Sequence, residues 1–394
     1  MALSELEIPK TYMESVVKNL EYNEMIGKYY WRLSQEFLAD PHHTETEIRR
    51  IESKLERLQS CNSIWILDAY HKAKVKDFQK TNLCKDKFCN NCKKLKQSSR
   101  QARFMPVIEK YAHDYKMSHM VLTVPNIIDD AGDGMKLRKR IKIMFKAFAN
   151  LIDYLKGKKK IKGIDFDCGY VGAIRSLEVT YKKNSYHPHL HVLIAHTDDF
   201  GEKTATNAYS FDKYGRKPVR AFNNFEIVIQ KLWYLLINDI TELEENLDTK
   251  MRRKKITKKR IDELEIGYSC MIDEFLENDF HELFKYMTKS DGIDQKENNG
   301  ESSIMSYLNF KTLNFALASL RQIQGYGVFF NIADDDGLLE TVMEVYEEII
   351  SMLREKEKPE PVSETVQALL ADNEYMVISK KRLYKILNSN SNQL

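Results

Sequence analysis

The stretch Tyr186-His-Pro-His-Leu-His-Val-Leu-Ile-Ala195 constrains this chain more than any other. His189 and His191 are separated by one apolar residue in a run that continues Val-Leu-Ile-Ala. A strand sends alternate side chains to opposite faces, so the two imidazoles share one face and Leu190 takes the other. Upstream, Val171–Thr180 reads as a second strand, with the polar Lys182–Ser185 as the turn between them. Antiparallel pairing through that turn brings Glu178 opposite His189 or His191 on the same face. Two imidazoles and a carboxylate with open positions suit a divalent cation; geometry and availability favour Mg²⁺ or Mn²⁺. Taken without Glu178, the pair also fits two surface histidines on an edge strand, which Pro188 tolerates.

Around this core the pattern alternates. Residues 1–60 have helical spacing in Met25–Phe37 and Glu45–Leu58. Gln97–Tyr115 reads as a helix, and His119–Pro125 is a β-type run stopped by Pro125 and Asn126. Met135–Leu155, Phe222–Asn238, Glu274–Lys289 and Ser306–Leu320 read as helices, and the segment beginning Gly325-Tyr-Gly as a strand. From about 334 the pattern is helical, with a Pro-containing linker at Lys358–Pro361. Strands mixed with helices in this order predict an α+β fold with an antiparallel sheet.

The cysteines add a second constraint. Cys84, Cys89 and Cys92 stand in a Cys-x4-Cys-x2-Cys pattern, with Cys61 upstream. A Cys-x-x-Cys pair turns two thiolates toward one metal, and Cys84 and Cys61 complete a tetrahedral set suited to structural Zn²⁺. His71 is the rival for the fourth position; chance proximity or a redox pair are the alternatives to a metal.

A third feature is the segment Asp279-Phe-His-Glu-Leu-Phe-Lys-Tyr-Met-Thr-Lys289. Phe280, Leu283, Phe284 and Met287 form an apolar stripe. Glu282, Lys285, Tyr286 and Lys289 form the polar one, so Glu282 and Tyr286 are neighbours one turn apart. Nearby lysines stabilise a phenolate and attract phosphate. The plain alternative is a surface tyrosine, with Glu282 closing a capping box on Asp279.

Net charge is only +3, but basic residues bunch at Lys156–Lys162 and Lys250–Arg260, and Asp334–Glu348 is acidic. Such clusters let one face of a near-neutral protein meet nucleic acid. Arg252, Arg253, Lys254 and Lys255 are candidate phosphate contacts, as are Lys285 and Lys289. No apolar run approaches the ~20 residues a membrane helix needs. The N-terminus lacks a basic stretch followed by an apolar one, so no signal peptide is expected and the location expected is the cytoplasm.

Taken in order, these segments resemble the rolling-circle replication initiators of small Gram-positive plasmids, in the His-hydrophobic-His (HUH) endonuclease superfamily. Val121-Leu-Thr-Val-Pro-Asn126 is similar to that family's first motif. Arg175-Ser-Leu-Glu-Val-Thr-Tyr and Tyr186-His-Pro-His-Leu-His-Val-Leu are similar to its second. Glu282-Leu-Phe-Lys-Tyr-Met-Thr-Lys289 is similar to the third, and Arg321-Gln-Ile-Gln-Gly-Tyr-Gly to the family's segment C-terminal to that third motif.

The resemblance spans about 60–330. It implies a five-stranded antiparallel sheet with flanking helices and a helix presenting the tyrosine to the metal, with a zinc-binding segment at 61–95 and a nicking domain at 96–330. The helical regions 1–60 and 331–394, read from periodicity alone, match nothing in the family. It implies metal-dependent nicking of plasmid origin DNA by Tyr286, with His189, His191 and Glu178 on the catalytic cation. A host helicase is an expected partner, no membrane is, and a homo-oligomer is left open. Some HUH enzymes carry two tyrosines one turn apart. Here Glu282 stands four residues before Tyr286 and can act as general base for a terminating hydrolysis. Tyr307 is the next candidate nucleophile. A mobilisation relaxase or transposase shares the same chemistry, and a noncatalytic zinc DNA-binding regulator would use neither the histidines nor the tyrosine.

Overall fold

The computed structural model describes residues 10–61, 64–69, 76–81, 84–89, 92, 104, 106–204, 220–245, 254–275, 305–330 and 375–379. The chain divides into two compact units, Met1–Ala102 with Asp335–Leu394, and Arg103–Asp334.

In the first unit α1 (Lys10–Ala39) and α2 (Glu45–Ser60) pack together through a short connection. Ile26, Tyr30, Leu33 and Phe37 recur at helical spacing on α1 and are buried, as are Ile51 and Leu58 on α2. Thr44 starts α2 with a capping box: its hydroxyl accepts from Glu47 N–H, and the Glu47 carboxylate accepts from Thr44 N–H. A three-stranded antiparallel sheet completes the unit. Its middle strand β1 (Ile64–Ala69) pairs with β2 (Lys76–Thr81) and with a strand from the far end of the chain, Tyr375–Ser379.

The second unit is built on a six-stranded sheet whose described pairings are antiparallel, which makes the chain α+β. Its strands are β3 (Lys116–Thr123), β4 (Ile127–Ile128), β5 (Tyr170–Lys182), β6 (Ser185–His196), β7 (Cys270–Glu274) and β8 (Ile323–Gly327). Five lie in the order β7-β3-β6-β5-β8, and the short β4 pairs with β6. The sheet is thus the expected five strands plus one two-residue strand. β7 is a correction to the reading of 274 as a helix start: Cys270–Glu274 is a strand alongside β3. An isolated five-residue segment with charged ends carries little period-2 signal, and its pairing partner lies far away in sequence.

β5 and β6 form a long hairpin whose turn is Lys183 and Asn184, with Lys183 at φ 55°. One face of the sheet is closed by α3 (Met135–Leu155) and α4 (Asn224–Glu245), which pack on each other. Met120, Leu122, Leu190, Val192 and Ile194 point into that layer and are fully buried. Arg175 lies there too, with its guanidinium 3.7 Å from the centre of the Phe145 ring. It donates to Arg321 O at 3.2 Å and Gln324 Oε1 at 3.3 Å, tying β8 to β5. The other face carries Phe104 and the helical segment 106–112 over part of its length, packed on Met117, Ile174, Leu193, Ala195 and Ile323.

Gly134, which precedes α3, sits at φ 69°, and a Cβ there would lie 2.4 Å from Thr312 O of α5, the helix Tyr307–Ala316. Only glycine accepts both that conformation and that approach.

The N-terminus of α4 is fastened to the sheet by Glu226, which is fully buried. Asn223 Oδ1 accepts from Glu226 N–H at 2.7 Å, and Glu226 Oε2 accepts from Asn223 N–H at 2.8 Å. Glu226 Oε1 accepts from Ile272 N–H of β7 at 2.7 Å, with Lys203 at 3.4 Å and Arg220 at 3.8 Å compensating its charge. Glu226→Ala removes the acceptor of two backbone donors and leaves two cations short of a partner. We expect the sheet unit to lose roughly 2–4 kcal/mol of stability, read as a lower denaturant midpoint. A loss below about 0.5 kcal/mol would mean that other groups satisfy these donors.

Candidate metal centres and active site

The β5–β6 register sets Glu178 directly opposite His189 and Ser176 opposite His191. Directly paired residues share a face, so Glu178, His189 and His191 project together from the two adjoining central strands. Glu178 Oε2 lies 3.0 Å from His189 Nε2 and 2.8 Å from His191 Nε2. All three side chains are buried, and their ligand atoms are close enough to share one metal ion. The sequence placed these three residues together, and the structure brings them together.

The far side of each ring tests whether a cation fits. His189 Nδ1 lies 3.1 Å from His187 O, a carbonyl that can only accept. The proton of a neutral His189 therefore sits on Nδ1, which leaves Nε2 with a lone pair aimed at a carboxylate oxygen. Lone pairs facing an anion repel unless a cation lies among them or the ring takes a second proton. The donor set of one carboxylate and two imidazole nitrogens thus suits a metal ion. Burial works to raise the Glu178 pKa, but with both rings protonated toward the carboxyl the two imidazoles outweigh it and lower the pKa to about 2.

One neighbour of this group was not expected. His119 Nε2 of β3 lies 3.0 Å from His191 Nδ1, with centroids 5.1 Å apart and ring planes 11° apart, so the two imidazoles meet nearly edge to edge. Burial, with His191 adding to it, lowers the His119 pKa to about 4, so the ring is neutral. His119 pairs in register with Leu193 while Val121 pairs with His191, so the contact is diagonal. Period-2 reading of the run from His119 to Val124 places its side chains on faces but does not identify the strand beside it. His187 packs its ring 5.2 Å from that of His189, and burial lowers its pKa.

The four cysteines form the second group. Sγ separations are 3.6 Å for Cys61–Cys89, 3.7 Å for Cys61–Cys92 and 3.5 Å for Cys84–Cys92. All four are buried and none is in a disulfide. Cys89 Sγ accepts from Asn23 Nδ2 at 3.2 Å, and Cys84 Sγ from Asp86 N–H at 3.4 Å. Tyr30 of α1 donates to Asp86 at 2.8 Å, so the helix holds the loop that carries the sulfurs. Hydrogen bonds from the neighbouring sulfurs push the Cys89 thiol well below its usual range. Cys61 is therefore one of the four sulfurs; its rival His71 lies outside the described residues.

Tyr286, Glu282, Lys285, Lys289, Arg252 and Arg253 also lie outside the described residues. Tyr307 is the first residue of α5. Lys254 and Lys255 are exposed, and Lys254 pairs with Glu242 at 3.0 Å. The chain just beyond them meets the other basic run: Lys162 bridges Thr257, and Lys258 N–H donates to Lys162 O at 3.1 Å. The described part of the second run, 254–260, therefore adjoins the first at Lys162. No helix among the described residues is long and apolar enough to cross a membrane.

Comparison with known proteins covers part of the chain. Residues 75–209 match a family model described as Replication protein. That match takes in Cys84, Cys89, Cys92, Glu178, His189 and His191 and ends before Glu282 and Tyr286. A protein named Protein rep from Staphylococcus aureus is 29% identical over 148 residues, covering 36% of this chain and 58% of that protein. A second Protein rep, from Streptococcus pneumoniae serotype 2, is 25% identical over 170 residues, covering 42% of this chain and 48% of its own length. The chain thus spans about half the length of the curated relatives it matches. No solved structure matches it.

If Glu178, His189 and His191 hold one cation, Glu178→Ala should weaken Mn²⁺ binding, followed by electron paramagnetic resonance of the free ion. The loss should exceed the roughly 10–100-fold cost of removing a mere supporting hydrogen bond. An unchanged affinity would place the cation elsewhere.

Proposed function

We propose that this chain, a relative of the Gram-positive replication proteins over residues 75–209, starts rolling-circle replication by nicking one strand of a plasmid origin. The observation that carries the reading is the convergence of His189 Nε2 and His191 Nε2 on Glu178 Oε2. A divalent cation at these residues, Mg²⁺ or Mn²⁺, would polarise the scissile phosphate and help neutralise its charge. Glu178 supplies the negative charge that holds it, and the buried rings keep their nitrogens fixed toward it.

Tyr286 is the nucleophile of this reading. Its phenolic oxygen bonds to phosphorus as the P–O3′ bond breaks. The phenol's proton is given up, and the departing 3′ oxygen takes one. The products are a 5′-phosphotyrosine and a free 3′-hydroxyl that primes synthesis. One phosphoester replaces another, so rejoining needs no ATP. Lys285 and Lys289, one turn or less from Tyr286 along the same stripe, favour the phenolate and the phosphate. Arg252, Arg253, Lys254 and Lys255 contact backbone phosphates, which give affinity without reading sequence. At the second cleavage Glu282 takes a proton from the attacking water as the P–O3′ bond at the regenerated nick site breaks; the freed 3′-hydroxyl then attacks the phosphotyrosine, closing the displaced strand into a circle and releasing Tyr286. Origin DNA is the substrate, a host helicase extends the opened duplex, and the reaction belongs to the cytoplasm.

The cysteine group is read as structural Zn²⁺. A tetrahedron of thiolates at ~2.3 Å from zinc has edges of about 3.8 Å, and the Sγ separations of 3.5–3.7 Å support that size. Burial of all four sulfurs suits a closed ion with no position for substrate.

Two experiments test these assignments. A supercoiled plasmid carrying this gene and its origin is incubated with protein and Mn²⁺. Wild type should yield nicked circles with protein at a 5′ end, and Tyr286→Phe should bind DNA without forming the adduct. In a cell extract that replicates the plasmid, Glu282→Ala should still form the adduct but accumulate it, because terminating hydrolysis fails. Normal nicking by the phenylalanine variant would move the nucleophile, and clean termination by the alanine variant would reject Glu282 as base. Separately, elemental analysis should find one zinc per wild-type chain. Cys89→Ser should lose it together with much of the first unit's stability, since metal binding and folding are coupled. Zinc-free wild type of full stability would refute the structural role.

A further inference from the structure

We propose that His119 is a positioning residue for the metal centre, accepting a hydrogen bond from His191 Nδ1–H and so holding His191 Nε2 toward Glu178 and the cation. The inference rests on the metal-centre reading above. The two metal-facing rings are oriented by different means. His189 is held by a carbonyl of its own strand, His187 O, at 3.1 Å. His191 Nδ1 meets a side chain from the neighbouring strand, His119 Nε2, at 3.0 Å. The first arrangement comes with the strand itself; the second requires a particular residue at position 119.

Neutral imidazole offers one donor and one acceptor, so the contact allows two proton arrangements. In one, His191 donates from Nδ1 and keeps a lone pair at Nε2, 2.8 Å from Glu178 Oε2. In the other, His119 donates, and the His191 proton moves to Nε2, where a metal ligand cannot carry it. A cation at Glu178 selects the first, and His119 then bears its own proton on Nδ1. The His119 ring is held for this task. Its plane lies 11° from that of His191, and the Phe275 ring packs against the His119 ring itself with centroids 5.0 Å apart. β3 is clamped between β6 and β7, with Asp273 paired to His119. Hydrogen bonds of this kind fix the tautomer and ring angle of a metal-bound imidazole and raise its basicity.

The test separates an acceptor from a packing residue. His119→Phe keeps an aromatic ring of similar shape but has no acceptor; His119→Gln provides an acceptor without the ring. Affinity for Mn²⁺ is measured on the full chain by electron paramagnetic resonance. The phenylalanine variant is expected to bind about 10–100-fold more weakly, and the glutamine variant to recover part of the loss. Wild-type affinity in His119→Phe would overturn the role of His119 alone. Failure of wild type to bind Mn²⁺ at all would overturn the metal-centre reading and this inference with it. A second measurement needs no variant. In ¹⁵N-histidine-labelled wild type with Mg²⁺, His191 Nδ1 should carry its proton and couple across the hydrogen bond to an unprotonated His119 Nε2. A proton on His119 Nε2 would overturn the proposal even if the phenylalanine variant failed to fold.

Discussion

The antiparallel ladder between β5 and β6 is the constraint on which the rest of the metal centre depends. A strand's side-chain period is two, so a register slip of one residue would carry Glu178 to the opposite face from His189 and His191. The two-residue turn at Lys183 and Asn184 sets that register at one end. The apolar partners Leu177, Leu190 and Val192, all buried against the helical layer, hold it along the length. The polar trio is therefore a consequence of apolar burial on the reverse face. The residues that form the core and the residues of the polar trio alternate along the same strands.

Burial gives that trio its chemical character. A carboxylate facing two imidazoles away from water interacts with them more strongly than it would at the surface. The same burial makes an uncompensated charge costly, so the site favours a bound cation. The supporting contacts of His187 O and His119 obey the same logic. In a packed interior a ring nitrogen without a partner is expensive, and each partner also fixes which nitrogen faces the ion. A ligand set held this rigidly loses little on binding an ion.

The cysteine group solves a different problem in the first unit. The loop that carries Cys84, Cys89 and Cys92 is short and polar, and the only large buried apolar side chain among its described residues is Phe88. Four sulfurs converge in one place, and hydrogen bonds from Asn23 and Tyr30 of α1 hold the loop that carries them. The opposition between the two groups is chemical. One is all sulfur and fully enclosed; the other mixes nitrogen and oxygen and lies at the surface of a sheet, where a phosphate could approach once a metal is present.

The amino-acid sequence by itself determined the Glu178–His189–His191 group and the membership of Cys84, Cys89 and Cys92 in another. In both cases the partners are close along the chain, and local geometry, a tight hairpin or a Cys-x-x-Cys turn, is enough to place them. Cys61 was legible as a fourth sulfur but not separable from His71 until α2 delivered it to the cluster. The remainder depended on long-range contacts. His119 reaches His191 only because β3 lies beside β6. Cys270–Glu274 is a strand only because β3 offers it an edge, although its continuation had helical periodicity. Glu226 fell on the helix read over Phe222–Asn238, where spacing cannot tell a solvent-facing carboxylate from one buried on Ile272 N–H. Local sequence sets the periodicity and the turns; which strand becomes whose neighbour is decided by the common burial of apolar faces, a property of the whole unit that no short segment contains.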